Sequence, residues 1–184
     1  MSRTASSASL KSSANRRYVP ARRDGITLLA ISTAVVGLDQ LSKSALLATM
    51  GAARDHSRFS LLDGWIAIEY TENRGAAFGL FAGLAPVLAA ASIAILVGLL
   101  LRFLSQAHPP YWETVAVSLI AGGAVGNLID RVRLGYVVDF LAIGFWPNFN
   151  VADSAITAGV VLLIWGWMRS ESIFGVVKPL DQES

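Results

Sequence analysis

The chain has 184 residues, of which 54% are hydrophobic and only 15% charged, too apolar and charge-poor for an ordinary soluble domain of this length. The absence of cysteine excludes disulfides, a thiolate nucleophile and cysteine-ligated metals. The formal net charge of +2 is modest, no nucleic-acid partner is expected, and His56 and His108 stand too far apart, without suitably spaced acids, for a zinc hydrolase site.

Residues 1–24 are rich in Ser, Ala and Arg, contain no acid before Asp24 and lack apolar periodicity, which predicts a disordered tail. Four apolar stretches, 26–47, 86–104, 112–129 and 151–168, approach the ~20 residues that a helix needs to cross a membrane. They predict a membrane α-helical fold, a single four-helix domain over residues 25–170 with a short tail at 171–184. An even number of spans places both termini on one side. Lys and Arg crowd that side, in the N-terminal tail and at Arg102, Arg169 and Lys178, so both termini are expected in the cytoplasm and the acid-bearing loops outside.

The first span carries Asp39 and Lys43, four residues apart and therefore on one helical face. Lys43 is near enough to the outer end to snorkel, while Asp39 faces a polar cavity. Two readings stay open: a neutralised pair that fixes packing, or support for a site. The outer loop that follows reads as a β-hairpin, 59–62 and 65–70 around Asp63-Gly64, and predicts a small extracytoplasmic sheet. Next, Thr71-Glu72-Asn73-Arg74 reads as a polar turn before small residues and aromatics. Either this is a plain loop with a hydrophobic anchor, or Asn73 bonds an extended peptide, Gly75 allows close backbone approach and Phe78 and Phe81 enter the interface.

The second span is featureless. In the third, Gly122 and Gly126 form a GxxxG pair that admits a neighbouring helix. Asn127 and Asp130, at i and i+3, point the same way; Asp130 either pairs with Arg131 at the interface or supports a site. In the connection 132–150, Asp139 has apolar flanks, a poor place for a merely solubilising acid. Asp153, at the start of the fourth span, has a purely structural explanation as a helix cap or dipole partner, worth about 0.5–2 kcal/mol. Taken with Asp139 and Asn150, it also fits a cluster of carboxylates at one end of the bundle.

Five segments in order, Asp39 to Lys43, Asn73 to Phe78, Gly122 to Arg131, Val138-Asp139-Phe140 and Phe149 to Asp153, carry a resemblance. The chain resembles the bacterial lipoprotein signal peptidases, the type II signal peptidases. The tail before Gly25 lies outside the pattern, and the stretch from Phe140 to Phe149 is short for it. The resemblance implies an intramembrane aspartyl endopeptidase in the bacterial cytoplasmic membrane that cuts prolipoproteins before a diacylglyceryl-modified cysteine near the outer face. It also implies Asp139 and Asp153 as the catalytic pair, supported by Asn73, Gly75, Phe78, Asn127, Asp130, Arg131 and Asn150, with Asp39 and Lys43 further out. Partners would be the lipid-modified precursor and membrane lipid, the enzyme a monomer, and no cofactor is expected. Chemically, two carboxylates in reach of each other share one proton, so one can activate water while the other protonates the scissile carbonyl. A small ion transporter and a non-catalytic membrane chaperone are the rival readings; acids gathered at one face and the lack of an inverted repeat disfavour the transporter.

Overall fold

The computed structural model describes residues 22–50, 58–75, 85–106 and 108–169. Both tails beyond these limits, Phe78 and Phe81 lie outside the described residues. Helix α1 is Arg22–Met50, α2 Ala85–Leu104, α3 Tyr111–Leu134 and α4 Val151–Arg169; strands β1 Arg58–Leu61, β2 Ile66–Asn73, β3 Val137–Ile143 and β4 Trp146–Phe149 complete the fold. By length and composition α1, α3 and α4 can cross a membrane; α2 offers a shorter apolar run, Ala89–Leu104.

Helix α3 is the buried one, and its glycines explain how its neighbours come so near. A Cβ on Gly122 would lie 2.7 Å from Val35 Cβ, and one on Gly126 would lie 2.7 Å from Asp39 Oδ2, so the GxxxG face is the seat of α1. Gly123, on the adjacent face, meets the Ala152 carbonyl of α4. Small residues thus let two helices contact α3 at backbone distance, as the sequence suggests. At the far end, Glu113 is buried and accepts bonds from Arg102 at 3.0 Å and Gln106 at 2.8 Å, which fasten α2 to α3. Outward faces of α1, α2 and α4 carry Leu29, Leu38, Leu41, Ile95, Val161 and Met168, all exposed, as helices solvated by lipid require.

The sheet is larger than the sequence suggests. Its strand order is β1-β2-β3-β4, all antiparallel, so the expected hairpin is joined by a second one drawn from the segment read as a plain connection. The chain from Thr71 to Asn73, read as a turn, is the end of β2 and pairs with β3. Helix α3 also runs past the expected 129 to Leu134, where Gly135 at φ 81 ends it. Val138 and Phe140 on one face of β3 pack with Leu46 at the end of α1, which turns Asp139 to the other face, toward α4.

Candidate active site

Three asparagines assemble the site. Asn150 is fully buried, immediately before α4. Its Nδ2 donates to Asp139 Oδ1 at 2.7 Å, its Oδ1 accepts from the Asp153 backbone N–H at 2.8 Å, and its own N–H donates to Asp153 Oδ2 at 3.3 Å. The last two bonds form a capping box, with Asn150 as N-cap and Asp153 as the acid three residues on. The structural reading of Asp153 is therefore realised, with Asn150 as the cap proper, and the same geometry ties Asp153 to Asp139.

The second oxygen of each acid is also held. Asn127 Nδ2 donates to Asp153 Oδ1 at 2.7 Å, and Asn73 Nδ2 donates to Asp139 Oδ2 at 2.9 Å. Asn73 Oδ1 accepts from the Gly75 N–H at 3.1 Å, so both ends of this side chain are bonded within the protein; a bond to an extended peptide was one of two readings of this segment. Asp139 is 1% exposed. Burial, then the nearby Asp153 carboxylate, raise its pKa from 3.8 to about 7, against the opposing donors Asn73 and Asn150 and the charge of Lys43.

Beneath the pair lies a buried ionic cluster. Lys43 Nζ is 2.8 Å from both Asp39 Oδ2 and Asp130 Oδ2, and its side chain is only 4% exposed. It does not snorkel. Asp130 pairs with this lysine and not with Arg131, whose Nη1 donates to the Asn127 carbonyl at 3.5 Å. The reason is positional: Asp130 lies on the face of α3 that meets α1, where Lys43 reaches it, whereas Arg131, one residue on, lines a cavity among α2, α3 and α4. Nor are Asp39 and Lys43 remote. Asp39 Oδ1 accepts from the Ala152 N–H at 3.0 Å, at the start of the helix bearing Asp153. Asp130 Oδ2 accepts from the Val138 N–H at 3.1 Å, next to Asp139. Lys43 also donates to Asn127 Oδ1 at 3.3 Å. One ammonium thus connects both acid-bearing elements.

Two residues join that the sequence reading passed over. Gln40 Nε2 donates to Asp39 Oδ2 at 3.1 Å and Asp130 Oδ1 at 3.0 Å, adding a neutral donor where two carboxylates face one cation. Its adjacency to Asp39 was the available signal. Asn148, on β4, donates to Thr71 Oγ1 at 2.6 Å and Glu69 Oε1 at 2.8 Å, and nothing local announces it.

Asp153 borders two cavities. One, about 600 Å³, lies between β4 and α4, lined by Asn73, Trp146, Pro147, Asn148, Phe149, Ser154, Thr157 and Ala158. The other, about 260 Å³, lies among α2, α3 and α4 and includes Leu96, Ile120, Asn127, Arg131 and Ile156. No group of His, Cys, Asp and Glu suited to a metal ion occurs among the described residues. The arrangement suits acid–base chemistry by two carboxylates at the edge of an apolar groove.

The profile of the family described as Signal peptidase (SPase) II matches residues 31–169. A lipoprotein signal peptidase of Syntrophomonas wolfei is 42% identical over 131 residues, 71% of this chain and 85% of its own. One of Dehalococcoides mccartyi is 35% identical over 155 residues, 82% and 94% of the two chains. A bacterial membrane enzyme solved by the in meso method superimposes with a TM-score of 0.73 at 32% identity, over 92% of this chain and all of that one.

Proposed function

The chain belongs to the signal peptidase II family and is an aspartic-type peptidase, and from that premise we propose that it removes the signal peptide of prolipoproteins. The cut falls before a diacylglyceryl-modified cysteine, at the outer face of the bacterial cytoplasmic membrane, with Asp139 and Asp153 as the hydrolytic pair. Four spans with both termini in the cytoplasm put the sheet and the acids on that face. The observation that carries the reading is the Asn150 bridge, which binds both acids into one hydrogen-bonded unit.

Asp139, which keeps its proton up to about pH 7, serves as the acid. Asp153, beside the positive end of α4, serves as the base. In the proposed reaction Asp153 takes a proton from water as the oxygen attacks the scissile carbonyl, and Asp139 protonates the carbonyl oxygen. As the tetrahedral intermediate collapses, one of its hydroxyls returns a proton to Asp139, the C–N bond breaks and the proton on Asp153 passes to the leaving amine, so both acids are restored and no acyl-enzyme forms. The groove between β4 and α4, reaching from Asn73 and Asp153 to Thr157 and Ala158, suits an extended peptide passing into an apolar helix. Asn73, Asn127 and Asn150 hold the carboxylates; Lys43, Asp39, Asp130 and Gln40 fix the elements that carry them.

The test is a gel-shift cleavage assay with purified enzyme and a prolipoprotein in lipid-modified and unmodified forms. Cleavage of the modified form alone is expected. Equal cleavage of both removes the lipid from the proposal, and cleavage of neither removes the reaction.

A further inference from the structure

Four side chains close a ring at the end of β2, on the face of the sheet opposite to the Asn73 side chain. Tyr70 and Glu72 lie on β2, Arg74 follows it, and Tyr136 stands just before β3. The Tyr70 and Tyr136 hydroxyls are 3.0 Å apart, and the Tyr70 hydroxyl donates to Glu72 Oε1 at 3.2 Å. Arg74 Nη2 donates to Glu72 Oε2 at 2.7 Å, and its guanidinium carbon lies 5.3 Å from the centre of the Tyr136 ring. The ring sits at the last residues of β2 that pair with β3, Glu72 with Val138 and Asn73 with Val137.

The end of β2 needs such a fastening. Between Ile68 and Thr71 the pairing with β3 shifts, a bulge that rotates the remaining strand and brings Thr71 opposite Asp139. Beyond it only Thr71, Glu72 and Asn73 remain in register before the ladder ends. A terminal strand residue frays unless side chains hold it, and Asn73 must hold a hydrogen bond of 2.9 Å. Glu72 and Arg74 flank Asn73 in sequence, so their bond to each other spans it. Tyr70 and Tyr136 carry the tie across to the chain entering β3.

We propose that Tyr70, Glu72, Arg74 and Tyr136 form a clamp that holds Asn73 against Asp139, making them positioning residues for the dyad. The clamp rests on the reading of Asp139 as the acid. Asn73 donates to the ionised carboxylate and favours it, so a loosened clamp makes Asp139 hold its proton to higher pH. The other charged groups facing Asp139 belong to different elements: Asp153 from α4, Lys43 and Asp39 from α1 and Asp130 from α3. None contacts the ring, whose own charged neighbours on the sheet, Glu69 and Arg58, pair with each other at 3.6 Å.

The experiment compares wild type with Tyr136→Phe and Arg74→Ala, each alone and combined with Asn73→Ala, in detergent-solubilised full-length enzyme. Infrared titration follows the protonated carboxyl band that Asp139→Asn removes, and the pH profile of kcat is measured beside it. Each clamp variant should move the band's midpoint and the alkaline limb upward together, by roughly half a pH unit or more. In the Asn73→Ala background the same substitutions should move neither further. An unchanged midpoint in both clamp variants, or an equal shift with Asn73 already gone, overturns the clamp. If wild type cuts no lipid-modified precursor, the functional reading fails while the infrared midpoints still decide the clamp.

Discussion

Asp153 uses its two oxygens differently. Oδ2 closes the capping box with Asn150, while Oδ1 takes the bond from Asn127. Asp139 shows the other extreme, a strand residue with apolar sequence neighbours whose pKa burial, then the Asp153 carboxylate, raise from 3.8 to about 7. The sign of its pH effect on stability follows. Between these values the folded chain keeps a proton that the unfolded chain has released, so this group's contribution to folding falls as pH rises. The melting temperature of Asp139→Asn relative to wild type should therefore shift in the variant's favour from about pH 4 to about pH 8. A difference that stays flat over that range means that Asp139 titrates like a solvated acid. In the proposed reaction Asp139 gives this proton to the substrate, so kcat should decline as pH rises through about 7.

At the scale of elements, Lys43 is the tie among α1, α3 and the starts of β3 and α4. Removing it leaves Asp39 and Asp130, 0% and 4% exposed, without their cation. Lys43→Met should cost about 3–5 kcal/mol, seen as a lowered melting temperature. Lys43→Arg should rescue it poorly, because a planar fork does not replace a point charge bridging two carboxylates. An unchanged melting temperature in Lys43→Met would show the cluster to be dispensable. The sequence disclosed this element only in part. The helices were legible from apolar runs, and the pairing of Asp39 with Lys43 from their spacing. The pairing of Lys43 with Asp130 was not, because the two are 87 positions apart and Arg131 offers a nearer partner. Strand β3 was hidden for a different reason: its first four residues are all buried, so it shows no polar alternation. Its partner β2 is also remote in sequence, so no local turn announces the pairing.

For the whole molecule, the bundle, the sheet and both acids follow one design: helices solvated by lipid hold a polar cluster inside, and the sheet covers one end of it. The order of the motifs along the chain was readable; the distances among them needed the fold. The membrane orientation can be tested directly because the chain has no cysteine. In sealed right-side-out vesicles a membrane-impermeant maleimide should label Ser60→Cys, on β1, and spare Gln106→Cys, between α2 and α3. The reverse pattern would invert the topology. The central claim concerns the acid pair. Single-turnover cleavage of a lipid-modified prolipoprotein by wild type, Asp139→Asn and Asp153→Asn tests it most directly. Each variant, folded by its elution and melting, should lose about 10²- to 10⁴-fold or more in rate. A rate near that of wild type in either variant would contradict the account.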